Sequence, residues 1–179
     1  MKKFELTNET KTVCGRTLFR IKALISFGNV SAGDLGGFVE KEENLSHSGR
    51  AWVYGDACVY GNAQVYGDAE VSGDAEVSGN ARVYGDAWVF GNAYVHGNAC
   101  VYGNACVYGN ACVYGNAQVC GGAYVYGNAQ VCGDACVYGN AQVCGGAYVH
   151  GNACVYGNAC VYGNAQVCGD AEMSGDACV

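Results

Sequence analysis

An all-β fold, a single-stranded parallel β-helix (β-solenoid), follows from three features of this 179-residue sequence. From Ala51 the chain runs in six-residue units, Ala-x-Val-x-Gly-(Asn/Asp), without insertion or deletion through Asp176. Within each unit the apolar period is two, so Ala and Val share one face of an extended strand while positions 2 and 4 take the other. Gly closes every one of the 21 complete units at position 5, and a Gly at every sixth residue excludes a helix. Position 6 is Asn in twelve units, Asp in seven, and Gly at Gly122 and Gly146. Gly followed by Asn or Asp tolerates unusual backbone angles, so each short strand ends in a bend. Six residues per side suit a triangular coil with 18 residues per turn. Twenty-one units then make about seven turns, a rod roughly 34 Å long at the usual strand spacing.

The elements divide at residue 50. Residues 1–50 read as an N-terminal β-rich cap and residues 51–179 as the repeat β-helix. Lys3–Leu6 and Thr17–Ile25 read as strands of the cap. The segment from Ala23 to Val39 then leads through Asn44-Leu45-Ser46 into the repeats. The cap holds eight of the nine basic residues and a net charge of +2, against −9 for the rest. Its expected role is cover, because the first coil of a solenoid exposes a strand edge and a slice of core. At the other end Val179 falls halfway through a unit, and an uncapped coil presents free backbone groups, so end-to-end stacking is one expectation.

The repeat resembles that of hexapeptide-repeat proteins with a left-handed β-helix, in which a small residue stands two before an aliphatic one, as Ala and Val do here. In that class Gly or an acidic residue often follows the aliphatic position directly. Here Gly comes one later, as in Val59-Tyr60-Gly61, and left-handedness is what the resemblance implies rather than what the period dictates. The cap, with its run from Ala23 to Val39, is similar to the head of YdcK-type proteins, a bacterial and prophage group of β-helices. The hexapeptide-repeat resemblance also implies an enzymatic alternative, since many of that class are trimeric acyltransferases with a histidine base and acetyl-CoA or acyl-carrier protein as donor. His47, His96 and His150 are the available histidines, and His96 and His150 the catalytic candidates. Such enzymes carry projecting loops that build an acceptor site, whereas these units are uninterrupted; a base also needs an orienting partner and a concave pocket.

Composition narrows the function further. Only 14% of residues are charged and the net charge is −7, which argues against direct nucleic-acid binding. No apolar run reaches 18 residues and the N-terminal stretch has no apolar core, so a cytoplasmic location without membrane contact is expected. The thirteen cysteines then read as reduced thiols. No cofactor is expected.

Stacking at 18-residue spacing lines the variable positions into outward columns. Tyr66, Tyr84 and Tyr102 fall in one column, and Phe90, Tyr108 and Tyr126 in another. Such rings either cover the corners and stiffen the rod or form an aromatic strip for a partner. Trp52 and Trp88, two turns apart on one side, are the expected contact anchors, or else cover the seam with the cap. Asp56, Asp68, Glu70, Asp74, Glu76 and Asp86 form an acidic patch in the first turns. Cys132, His150 and Cys168 share a column and are the metal candidates, although a straight column spreads its outer members ~9.6 Å apart at the backbone, too far for a tetrahedral ion. Cys136/Cys154 and Cys160/Cys178 are neighbours on adjacent turns. No Thr follows Thr17, which excludes the regular Thr array of an ice-binding face.

The expected function is a non-enzymatic interaction or scaffold rod that presents flat Tyr/Asn/Cys faces to a protein partner or to copies of itself. The alternatives are a phage-encoded acidic inhibitor that mimics nucleic acid to block a host defence or nucleic-acid-binding protein, and the acyltransferase above.

Overall fold

Three parallel sheets form the sides of a triangular coil in the computed structural model, which describes residues 2–179. Each six-residue unit gives one two-residue strand, from Trp52–Val53 to Glu172–Met173. Three backbone N–H groups per unit, at positions 2, 4 and 6, donate to carbonyls one turn later; Trp88 to Ala105, Phe90 to Val107 and Asn92 to Gly109 span 2.8–3.0 Å. Valine pairs with valine in register along each side, as Val71, Val89 and Val107 do. The Ala and Val of every unit from Ala51 to Val161 are buried without exposure, a continuous dry axis one Ala and one Val thick per side.

The repeating Gly meets two demands at once. Gly103 has φ +71°, in the left-handed region, and a Cβ built on it would lie 3.0 Å from the backbone nitrogen of Gly121 in the next turn. Both the bend and the close stacking of turns therefore require the missing side chain. The Asn that follows builds a second ladder along the corner. Asn62, Asn80, Asn98 and Asn116 each donate Nδ2–H to the next Oδ1 at 2.8–3.2 Å, and the row ends on the Asp134 carboxylate.

The head begins with a hairpin of strands β1 (Phe4–Val13) and β2 (Arg16–Ala23), turned by Cys14 at φ +48° and Gly15 at φ +74°. Strand β3 (Leu35–Val39) pairs antiparallel with β2 and parallel with Cys58–Val59, which makes it the converter between hairpin and coil. Its Gly36 and Gly37 are obligatory, since a Cβ on either would meet a coil carbonyl at 2.6 Å. Leu45 bridges Val65 on a second side. The ladders thus reach back past Ala51 to Phe38 and Leu45, and the coil has about eight turns because the head contributes the first.

The head also solves a polarity problem. Every ladder N–H at positions 2, 4 and 6 points to the following turn, so the first turn is left with unpaired carbonyls and needs donors alone. Phe38, Glu40 and Ser46 supply backbone N–H groups to Ala57, Val59 and Val65. The buried Asn44 side chain donates to Gly61 and Ala63. Lys3 Nζ donates to Ala51 at 2.8 Å, Lys11 Nζ to Asp56 at 3.1 Å and Arg20 to Gly55 at 3.4 Å. The basic excess of the head has a structural use as a set of carbonyl caps.

Candidate functional site

Positions 2 and 4 form the outer surface, and the side chains there are ordered by the rung spacing. Tyr66, Tyr84 and Tyr102 stack with ring centroids 4.8 and 4.9 Å apart and planes within 3°. Phe90, Tyr108 and Tyr126 stack at 4.8 and 5.0 Å. Hydroxyls brace the rows diagonally: Tyr102 donates to Gln118 and Tyr126 to Gln142, each one rung on. Tyr126 also meets the Cys144 thiol, whose contact, with burial, pushes its phenol up to about 12. Both sequence-predicted columns are therefore brought together as continuous stacks.

Trp52 is a correction. The ring is 1% exposed and lies beneath the head, edge-on to Phe4 at 6.2 Å and to Phe27 at 5.4 Å. It covers the seam and is no surface anchor, because residues 4–30 of the head fold over that rung. Trp88, two rungs on, is clear of the head and 51% exposed. Sequence reasoning passed over Tyr94 and Tyr124, which stand outward at position 2 and are more exposed than the stacked rings. Trp88, Cys106 and Tyr124 form one column beside Phe90, Tyr108 and Tyr126, so a single sheet carries the broadest aromatic face.

That face has an interruption. Ser72 takes the place of a ring between Tyr54 and Phe90, and the gap opens a hollow of about 190 Å³ lined by Glu70, Ser72, Trp88 and Phe90. An adjoining hollow of about 270 Å³ shares Glu70 and Trp88 and adds Tyr54, Arg50, Asp68 and Asp86. Glu70 is half-buried, and among the described residues its carboxylate has neither a hydrogen bond nor an ion pair; burial raises it above the usual carboxylate range. The cue in the sequence is a Ser where the column otherwise carries Tyr or Phe.

The acidic patch does not act as one surface. Asp68 binds Arg50 at 2.7 Å, Asp56 meets Arg20 at 3.3 Å, and Glu76 accepts from the buried Tyr60 hydroxyl at 2.9 Å. The first two pairs hold the head on, and the third joins successive turns of the coil. Asp74, Asp86 and Glu70 are the members that face outward without such pairing among the described residues.

The metal candidates are not brought together. Cys132 Sγ donates to the Tyr148 hydroxyl at 3.2 Å, and the Tyr148 ring lies 4.5 Å from that of His150, so a phenol fills the space between adjacent turns. Cys168 is exposed on the next turn. Among the described residues no three His, Cys, Asp or Glu side chains cluster with metal-binding geometry. His96 lies flat against Tyr114 at 5.1 Å on an open sheet. A larger hollow, about 570 Å³, lies at the head seam and includes His47 beside Glu42 and Tyr66. His47 is occupied at both nitrogens: Nδ1 accepts the Lys3 N–H at 3.2 Å, Nε2 faces Glu42 at 3.4 Å, and the ring stacks on Phe4.

Compared with known proteins, the chain matches the family model described as YdcK Beta solenoid repeat at residues 75–91, 105–121, 129–145 and 153–169. No curated protein matches the chain. No helix among the described residues is long and apolar enough to cross a membrane.

Proposed function

We propose, for a chain that is a β-solenoid repeat protein of the YdcK family, that it works in the cytoplasm as a non-enzymatic interaction rod whose contact site is the notch around Trp88. The observation that carries this reading is the interrupted aromatic face: an exposed indole and a Phe90 edge surround a half-buried carboxylate, Glu70, that has no partner of its own among the described residues. Such a site suits a flat cation. A guanidinium stacked on Trp gains roughly 0.5–2 kcal/mol as it is desolvated, and a carboxylate can hold its N–H fork. The occupant is therefore an arginine-bearing segment of a protein partner, with Asp74 and Asp86 adding long-range attraction. The rigid stacks on either side supply a flat surface whose side chains are already fixed, which lowers the ordering cost of docking.

A random peptide library panned against the folded protein tests the reading. Selected peptides should be enriched in arginine, and Trp88→Ala should weaken them by about tenfold or more, as for a contact hot spot. Selection of acidic or purely aliphatic peptides, or binding that ignores Trp88→Ala, would overturn it.

A further inference from the structure

Twelve of the thirteen cysteines stand at outward positions, and two pairs of them differ from the rest. Cys136 and Cys154 are register partners on adjacent rungs of one side. Cys160 and Cys178 are bridged in the same way on another. Each thiol of the first pair makes the same local contact, Sγ to the carbonyl two residues earlier at 3.8 Å. The second pair repeats it at 3.7 and 3.6 Å. Side chains that share one such contact point the same way, so each pair is separated by the rung spacing of ~4.8 Å. A third thiol lies diagonally one rung before each pair, Cys120 for the first and Cys144 for the second. The step is the one that joins Tyr102 to Gln118 and Cys132 to Tyr148. The whole constellation of 120, 136 and 154 recurs 24 residues later as 144, 160 and 178, moved by the winding onto the next side.

The spacing discriminates between two uses of a thiol pair. A disulfide brings its Cβ atoms to ~3.8 Å, about 1 Å closer than the rungs allow without pinching the ladder. Two metal–sulfur bonds of ~2.3 Å laid end to end span ~4.6 Å, which the column provides as it stands. Thiolate donors with no oxygen or imidazole ligand select soft ions, above all Cu(I).

We propose that Cys136/Cys154 and Cys160/Cys178 are two-thiolate sites for a soft monovalent ion of the Cu(I) class, each ion bridging successive turns with Cys120 or Cys144 beside it. On binding, each coordinating S–H gives its proton to solvent and the ion takes the vacated sulfur lone pair.

The chain contains its own controls. Cys100 stands between Arg82 and Gln118, and Cys112 between Tyr94 and Gln130, with no thiol directly above or below. Gln occupies the same outward position in other rungs, so Cys→Gln variants keep the repeat. The reduced, oxygen-free protein is titrated with Cu(I) held by a colorimetric chelator, and the copper withheld from the chelator is counted. Wild type should withhold two ions per chain, and Cys136→Gln and Cys160→Gln one each. Cys100→Gln and Cys112→Gln should leave the count at two, and X-ray absorption should show two sulfurs at one distance. Equal loss from Cys100→Gln, or no copper withheld by wild type, would overturn the proposal.

Discussion

Gly103 and Gly163 show how one residue type is used at different cost along the rod. Gly103 combines φ +71° with the backbone of the next turn at 3.0 Å, while Gly163 has φ +64° and open space beyond it. Gly103→Ala should lower the unfolding free energy by the conformational cost of about 1–3 kcal/mol plus the clash, and Gly163→Ala by the conformational part alone. Denaturant titration of the two variants separates these contributions. The tryptophans divide as sharply. Trp52→Ala should cost about 3–5 kcal/mol as a buried core truncation, whereas Trp88→Ala should stay within about 0.5 kcal/mol of wild type. The sequence made the two look alike, since both stand at position 2 of one column. The difference lies in residues 4–30, whose path over Trp52 has no repeat to announce it.

At the scale of elements, the coil strands were legible because Ala, Val and Gly each have one geometric duty per unit, and the head was legible only in part. The start of β1 and most of β2 showed, as Lys3–Leu6 and Thr17–Ile25, but nothing local predicts that β3 pairs parallel with Cys58–Val59, or that Lys3, Lys11 and Arg20 cap first-turn carbonyls. Those pairings follow from the direction of the coil N–H groups, a property of the assembled ladder. Lys3 offers a test. Burial lowers it to about 8, below its free value of about 10.4, so between those pH values the unfolded chain binds the extra proton and stability rises with pH. Relative to Lys3→Met, wild type should therefore gain stability from about pH 8 to about 10.4. Burial pushes the other way on Tyr54, Tyr66, Cys106 and Cys112, whose protons the folded state keeps longer than the unfolded chain. From these groups both proteins should lose stability from about pH 8.5, where unfolded thiols ionise, and more steeply above about pH 10, where unfolded tyrosines do. Urea midpoints across pH 7–11, with reductant present, check both signs.

For the molecule as a whole, stability is a sum over stacked turns, and no turn stands without its neighbours. Deleting residues 105–122 removes one complete turn and keeps every column in register, so a cooperative fold should survive at slightly lower stability. Deleting Val107–Gly109 alone shifts Ala and Val out of phase with the turns on either side and should abolish cooperative unfolding of everything beyond it. The same columns are readable from the 18-residue spacing of the sequence alone, including the two aromatic stacks. The hollow beside Trp88 is not, because its cue is an absent ring at Ser72. That absence also supplies the most direct measurement of the functional account: the stability and peptide binding of Ser72→Tyr, which restores the consensus unit and fills the hollow. Ser72→Tyr should be at least as stable as wild type and should no longer bind arginine-bearing peptides. A stable Ser72→Tyr protein that binds them as wild type does would contradict it.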